Sequence, residues 1–356
     1  MDRRTKTTAV GLIPLAVLAA GLSLDHIPGT NISLAVPYAA EGPGPTVDTL
    51  GAIEGVDVVD VRGAETFETE GNLNMTTVSV RSNMTLVQAI GRAIATDDTI
   101  VPIEHVIPPG RTAEEVDKEN QLEFEGSERA ATVAALDYLE RPTHVEVAAV
   151  VDDSPAAGAL KESDRIVKVA GDDVDEPAEV GAAVRRLKPG DELDLVVERG
   201  GEEREVTVEL GENPHDDGAA WLGILMGEAS SEGIEVDYNL EQIGGPSAGV
   251  IFSLAVIDKL TEEELTGGSF VAGTGTIEAD GSVGPIGGIE HKIAAAAAEG
   301  AELFLAPRLN CDEALDAPDE ALERMRVVPV DTLSDAVEAI DAFNSGGEQE
   351  TCAAKA

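Results

Sequence analysis

With 356 residues the chain can form two or three domains, and its 43% apolar residues can bury real cores. Aromatics make up only 3%, so packing falls mainly to aliphatic residues and alanine. The formal charge of -45, from 69 acidic against 24 basic residues, excludes nucleic acid as a partner and repels anionic lipid headgroups. The acids are interleaved with periodic apolar segments, so this is not a disordered acidic tail, and the lysine-poor surface fits a protein adapted to high salt.

Arg3, Arg4 and Lys6 precede an apolar run from Thr8 to Leu24. At about 17 residues, the run is at the short end for a spanning helix and long for the core of a cleaved signal. The flanking basic residues predict a cytoplasmic N-terminus with the remainder outside. A secretory signal cleaved near Ala39-Ala40 is the alternative. Residues 1–37 thus form the basic region and membrane segment, and 38–140 an extracytoplasmic α/β lead-in. Residues 38–55 read as turn-rich, Val56–Val61 and Asn74–Val80 as strands, and Leu86–Ala95 and Ala113–Leu139 as helices separated at Pro108-Pro109-Gly110. Asn74-Met75-Thr76 and Asn83-Met84-Thr85 fit N-x-[ST], a chance match in a bacterial-type protein.

Residues 141–212 are predicted to be a β-rich domain. Strand Val145–Val151 is followed by a small-residue turn, strand Arg165–Ala170, helix Pro177–Leu187 and a hairpin over Glu192–Leu210 that turns at Gly200-Gly201. Residues 213–343 alternate strands and helices, which predicts an α/β domain. Within it, Ser247 follows Gly244-Gly245-Pro246 and opens a run that is apolar almost all round, as in a buried helix. Backbone N–H groups converge at such a helix start, where Gly245 and Ala248 flank the serine and are candidates to hold an oxyanion. Lys292 shares a predicted helix face with Ile289, Ile293 and Ala296; Gly300 ends that helix. Burial on that face lowers a lysine pKa and equips the neutral amine to act as a base. Strands Leu303–Leu305 and Val327–Val330 and helices Cys311–Asp316 and Ser334–Phe343 follow, and residues 344–356 read as a flexible tail. Cys311 and Cys352 are either a bridge between tail and body or two unrelated thiols. No metal-ligating spacing appears, Gly273-x-Gly275 is too short for a dinucleotide loop, and no cofactor is expected.

GGPSAG followed by GTGTIEADGSVGPIGGIEHK resembles the proteolytic domain of Lon, a serine–lysine peptidase family. The resemblance implies that Ser247 is the nucleophile, Lys292 its base and Thr274 the residue that orients the lysine. Lon enzymes usually carry an acidic residue immediately before GPSAG; here Gly244 stands there. SPAAGALKESDRIVKVAG resembles the signature of bacterial PDZ domains, which implies peptide binding by strand addition, here expected at the Val145–Val151 edge. Together the two resemble the membrane-anchored, PDZ-containing Lon-like peptidases, from about Tyr38 onward, which favours a retained anchor. They imply a protein or peptide substrate and a hexameric ring. No G-x-x-x-x-G-K-[ST] loop occurs, so no ATP-driven step is expected. The rival readings are an inactive PDZ scaffold of the cell envelope and a serine–histidine hydrolase using His291. Adjacent helix residues point about 100° apart, so His291 and Lys292 cannot both face Ser247.

Overall fold

The computed structural model describes residues 33–240 and 243–352, together with Leu24, His26 and Gly29. The expected membrane segment lies, except for Leu24, outside the described residues, and among those described no helix is long and apolar enough to cross a membrane.

The fold begins with β1 (Tyr38–Asp48), then β2 (Val59–Arg62), β3 (Asn72–Arg81), helix α1 (Leu86–Ala95), β4 (Thr99–Pro102) and the long helix α2 (Ala113–Tyr138). Residues 38–48 were expected to be turns, because Gly42-Pro43-Gly44-Pro45 carries turn residues. They form a strand. Its register against β3 shifts between Pro43 and Thr46, and β4 pairs with it only over Tyr38–Glu41. Both prolines therefore lie where one side of β1 is unpaired, and their missing N–H groups cost no ladder bond there.

Next come β5 (Thr143–Val150), β6 (Arg165–Val169), α3 (Pro177–Arg185), β7 (Glu192–Arg199), β8 (Glu202–Glu209) and β9 (Ile224–Ser230). These strands make one sheet in the order β8-β7-β6-β5-β9. Gly200 and Gly201 both have positive φ, as the two-residue turn between β7 and β8 requires. Val145, Val147, Ile166, Leu195 and Val180 share a core of their own. The β5 edge expected to accept a peptide is not free: β9 pairs with it from Thr143 to Val150. The sheet's edge strands are β8 and β9, and β9 was hidden from sequence reading by its mixture of small and charged residues, ILMGEAS.

The chain returns through β10 (Glu235–Tyr238), α4 (Gly249–Leu260), β11 (Phe270–Gly273), α5 (Ile289–Glu299), β12 (Leu303–Pro307), β13 (Arg326–Val330) and α6 (Leu333–Asn344). The main sheet runs β13-β12-β11-β3-β1-β4, so the lead-in strands belong to the same sheet as the C-terminal ones. Strands β3, β11, β12 and β13 are parallel. Leu303 and Leu305 face one core, with α2, α4 and α6; Phe304 and Ala306 face another, with α5. Both faces are covered, which is why LFLAP and the VVPV that follows Arg326 read as unbroken apolar runs. The C-terminal tail is tied down: Cys352 is disulfide-bonded to Cys311, and Gln349 Nε2 donates to the Ala339 carbonyl.

Candidate active site

Three packed elements bring the site together. Helix α4 is buried along almost its whole length. Ser247 sits in the turn just ahead of it, after Gly245, whose φ of +86° suits a glycine. Helix α2 holds that turn from behind: Ser127 Oγ donates to the Pro246 carbonyl at 3.0 Å, and the Gly245 N–H donates to the Asn120 carbonyl at 2.8 Å. Helix α5 begins after Gly288, which has a φ of +66°, and ends at Gly300, whose φ is +96°. It projects Lys292 through the sheet end toward Ser247.

Lys292 Nζ lies 2.7 Å from Ser247 Oγ and 2.9 Å from Thr274 Oγ1. Thr274, fully buried, follows β11, and its hydroxyl donates to the Ser247 carbonyl at 3.0 Å. The single threonine proton is thus committed, and the oxygen can only accept from the lysine. The Gly275 N–H donates to the same Ser247 carbonyl at 2.9 Å. Lys292 is 3% exposed, and burial pulls its pKa down to about 7. A neutral amine giving one N–H to Thr274 keeps its lone pair for the Ser247 hydroxyl.

Ser247, Lys292 and Ala248 line a cleft of about 660 Å³, together with Phe124, Ile243 and Pro285. One wall is the stretch Met75–Val78 of β3, where pairing with β11 stops at Met75 and leaves that edge open. Motif reading missed this wall and Asn120, because both come from the lead-in and meet the site only through the fold. Alternation in NMTTVSV marks a strand, not its neighbour. Of the two oxyanion candidates, Gly245 is corrected: its N–H is already spent on Asn120. Ala248 donates its N–H to no acceptor among the described residues. Gly244 packs on α2, where an added Cβ would stand 3.0 Å from Asn120 Cβ; the acidic residue usual in Lon enzymes would press on that helix. His291 is buried, lies 3.5 Å from Glu290 and does not line the cleft. Lys259 lies beside Asp57, away from the cleft. Among the described residues no cluster of three or more His, Cys, Asp or Glu side chains is arranged to hold a metal ion.

A buried lysine within hydrogen-bond reach of a helix-start serine is chemically able to serve acyl transfer. Residues 242–341 match the family model of the Lon protease (S16) C-terminal proteolytic domain, and residues 118–210 match that of the PDZ domain, so the chain carries both. Lon protease of Phenylobacterium zucineum is 38% identical over 95 residues, covering 27% of this chain and 12% of that protein. Archaeal Lon protease of Halobacterium salinarum is 34% identical over 96 residues, covering 27% of this chain and 13% of that protein. The chain thus spans about an eighth of the length of these relatives. The PDZ domain of the SdrC-like protein of Listeria monocytogenes aligns at 25% identity and a TM-score of 0.22, covering 23% of this chain and 86% of that one.

Proposed function

We propose that the chain is an ATP-independent serine endopeptidase with a Ser247–Lys292 dyad. The observation that carries this reading is the 2.7 Å separation between Ser247 Oγ and a buried lysine whose partners are two neutral hydroxyls. Neutral Lys292 takes the Ser247 proton as Oγ attacks the substrate carbonyl carbon. The tetrahedral oxyanion accepts from the Ala248 N–H. The lysine then returns the proton to the leaving amine, and water releases the acyl group with Lys292 again as base. An extended substrate lies along the open edge of β3, and the PDZ domain delivers or gates it, offering the free edge of β9 for strand addition.

Residues 8–24 anchor the chain, with the body outside the cytoplasm. The Cys311–Cys352 disulfide supports an oxidising compartment, and the basic residues before the apolar run support the orientation. Without an ATP-driven unfoldase, substrates are flexible segments or chains already unfolded, cut by an assembly that the family resemblance makes a hexameric ring. The test is peptide-bond hydrolysis of an unfolded protein by the purified chain and its Ser247→Ala variant, with a serine-reactive acylating probe mapped by mass. Turnover surviving in Ser247→Ala refutes the dyad. A wild-type chain that neither cleaves nor is acylated is the inactive scaffold instead.

A further inference from the structure

Helix α1 is built inside out. Its small Ala89 faces the protein, while Leu86, Val87, Ile90 and Ile94 face outward, with Ile90 50% and Ile94 80% exposed. At 100° per residue these four side chains fall on one arc of about 100°. The helix contains no carboxylate, and none occurs anywhere from Gly71 to Thr96 in a chain with 69 acidic residues. Arg92 is its one charged residue, and it is ion-paired with Asp98. An apolar stripe inside a carboxylate-free window is what an interfacial helix presents to lipid, and scattered surface leucines do not make one.

The chain's path indicates which surface covers it. The Val36 N–H donates to the Met84 carbonyl at 2.9 Å, two residues before α1 begins, and Val36 packs with Met84 and Ala89. Upstream, His26 pairs with Ser33 as an antiparallel bridge. The path from Leu24, where the apolar run ends, to Val36 is then about 20 Å, against about 40 Å if the same residues were extended. If residues 8–24 are in a bilayer, α1 is held beside it.

We propose that α1 lies on the membrane surface with Leu86, Val87, Ile90 and Ile94 in the headgroup–acyl boundary, so that the body is docked onto the bilayer as well as tethered to it. This inference rests on the anchoring reading above. The partner is a zwitterionic lipid surface, because the rest of the molecule repels anionic headgroups.

Both native cysteines are in the disulfide, so a cysteine introduced at Ile94 is the only free thiol and can carry an environment-sensitive fluorophore. The full chain with Ile94→Cys, and a control with Leu225→Cys in the PDZ sheet, are reconstituted into phosphatidylcholine vesicles containing acyl-chain nitroxide lipid. Flotation reports anchoring; quenching reports docking. Docking predicts a blue-shifted Ile94→Cys label quenched several-fold more by the lipid nitroxide than the Leu225→Cys label, and loss of that difference on adding Ile90→Glu. A chain that floats but whose label is quenched only by an aqueous quencher leaves anchoring intact and overturns docking. A label shielded from both quenchers, with Ile94→Cys copies crosslinking, makes the stripe a contact between copies and also overturns it. A chain that does not float removes the anchor and the docking with it.

Discussion

At the scale of single residues, Lys292 has no carboxylate among its hydrogen-bond partners in the described residues. Its hydrogen-bond partners are two hydroxyls, so nothing offsets desolvation, and the pKa falls from about 10.5 to about 7. Hydrolysis should therefore rise with pH through about 7 and level off above it, and a pH–rate profile checks this. The same shift has a cost. Below pH about 7 the unfolded chain holds a proton that the folded chain resists, so the destabilisation is fully present there. It fades as pH climbs to the unfolded value of about 10.4. At about 1.4 kcal/mol per pH unit of displacement the penalty amounts to several kcal/mol. Lys292→Met should abolish hydrolysis and melt at equal or higher denaturant near pH 7, whereas Lys292→Arg should lose both activity and stability, because the guanidinium stays charged. Wild-type activity in Lys292→Met would remove the lysine from the mechanism. Thr274→Val deletes both the lysine anchor and one bond to the Ser247 carbonyl, so kcat should drop by up to about 100-fold, with Thr274→Ser restoring most of it. The lysine was legible in the sequence because its helical spacing put it on an apolar face. The commitment of Gly245 was not, because its partner Asn120 lies on a helix of the lead-in region.

At the scale of elements, helix α4 delivers the serine only because α2 lets it come close. Gly249 opens α4, and a Cβ there would stand 2.5 Å from Ile277 Cγ2 and 2.9 Å from Ser127 Oγ. Further along, Ser253 Oγ donates to the Ala131 carbonyl at 3.1 Å, and Phe252 meets the edge of Phe124 at 5.6 Å. Gly249→Ala should cost about 1–3 kcal/mol in a denaturant melt and depress activity by moving Ser247 off Lys292. An unchanged melt would mean that the two helices can separate freely. The longer helices were legible almost to the residue, Leu86–Ala95 and Ile289–Glu299 among them, because caps, glycines and periodicity are local signals, while the short helix Asp319–Arg324 was missed. Strand β1 was not, because Gly-Pro-Gly-Pro has the composition of a turn, and only its one-sided pairing makes it tolerable in a sheet. Strand β9 was missed for a related reason: its conformation is imposed by β5 across the sheet, with little support from its own side chains.

At the scale of the whole molecule, a formal charge of -45 makes the surface self-repelling. The Debye length falls from about 10 Å at 0.1 M salt to about 3 Å at 1 M, so the melting temperature should rise over that range. A melting temperature flat across that range would show that charge repulsion does not limit the fold's stability. The disulfide closes a separation of 41 residues, so Cys352→Ser should lose about 3–4 kcal/mol in the chain-entropy account, read as the gap between denaturant melts with and without reductant. The shared sheet also governs when the protein becomes dangerous. Thr76 donates to the Gly273 carbonyl across 197 residues, so the sheet cannot close until both ends of that loop have been synthesised. The PDZ domain sits inside this loop with its own core, and its first and last strands lie side by side, Thr143 opposite Ser230. Once folded it removes nearly half of the loop's effective length, which lowers the entropy of closing the rest. Pulse-labelled hydrogen exchange should therefore show β5 to β9 protected before β3 and β11. A nascent chain carries Ser247 well before it carries Lys292, and neither meets the other until the late sheet closes. The order of synthesis thus keeps Ser247 and Lys292 apart until most of the chain has been made.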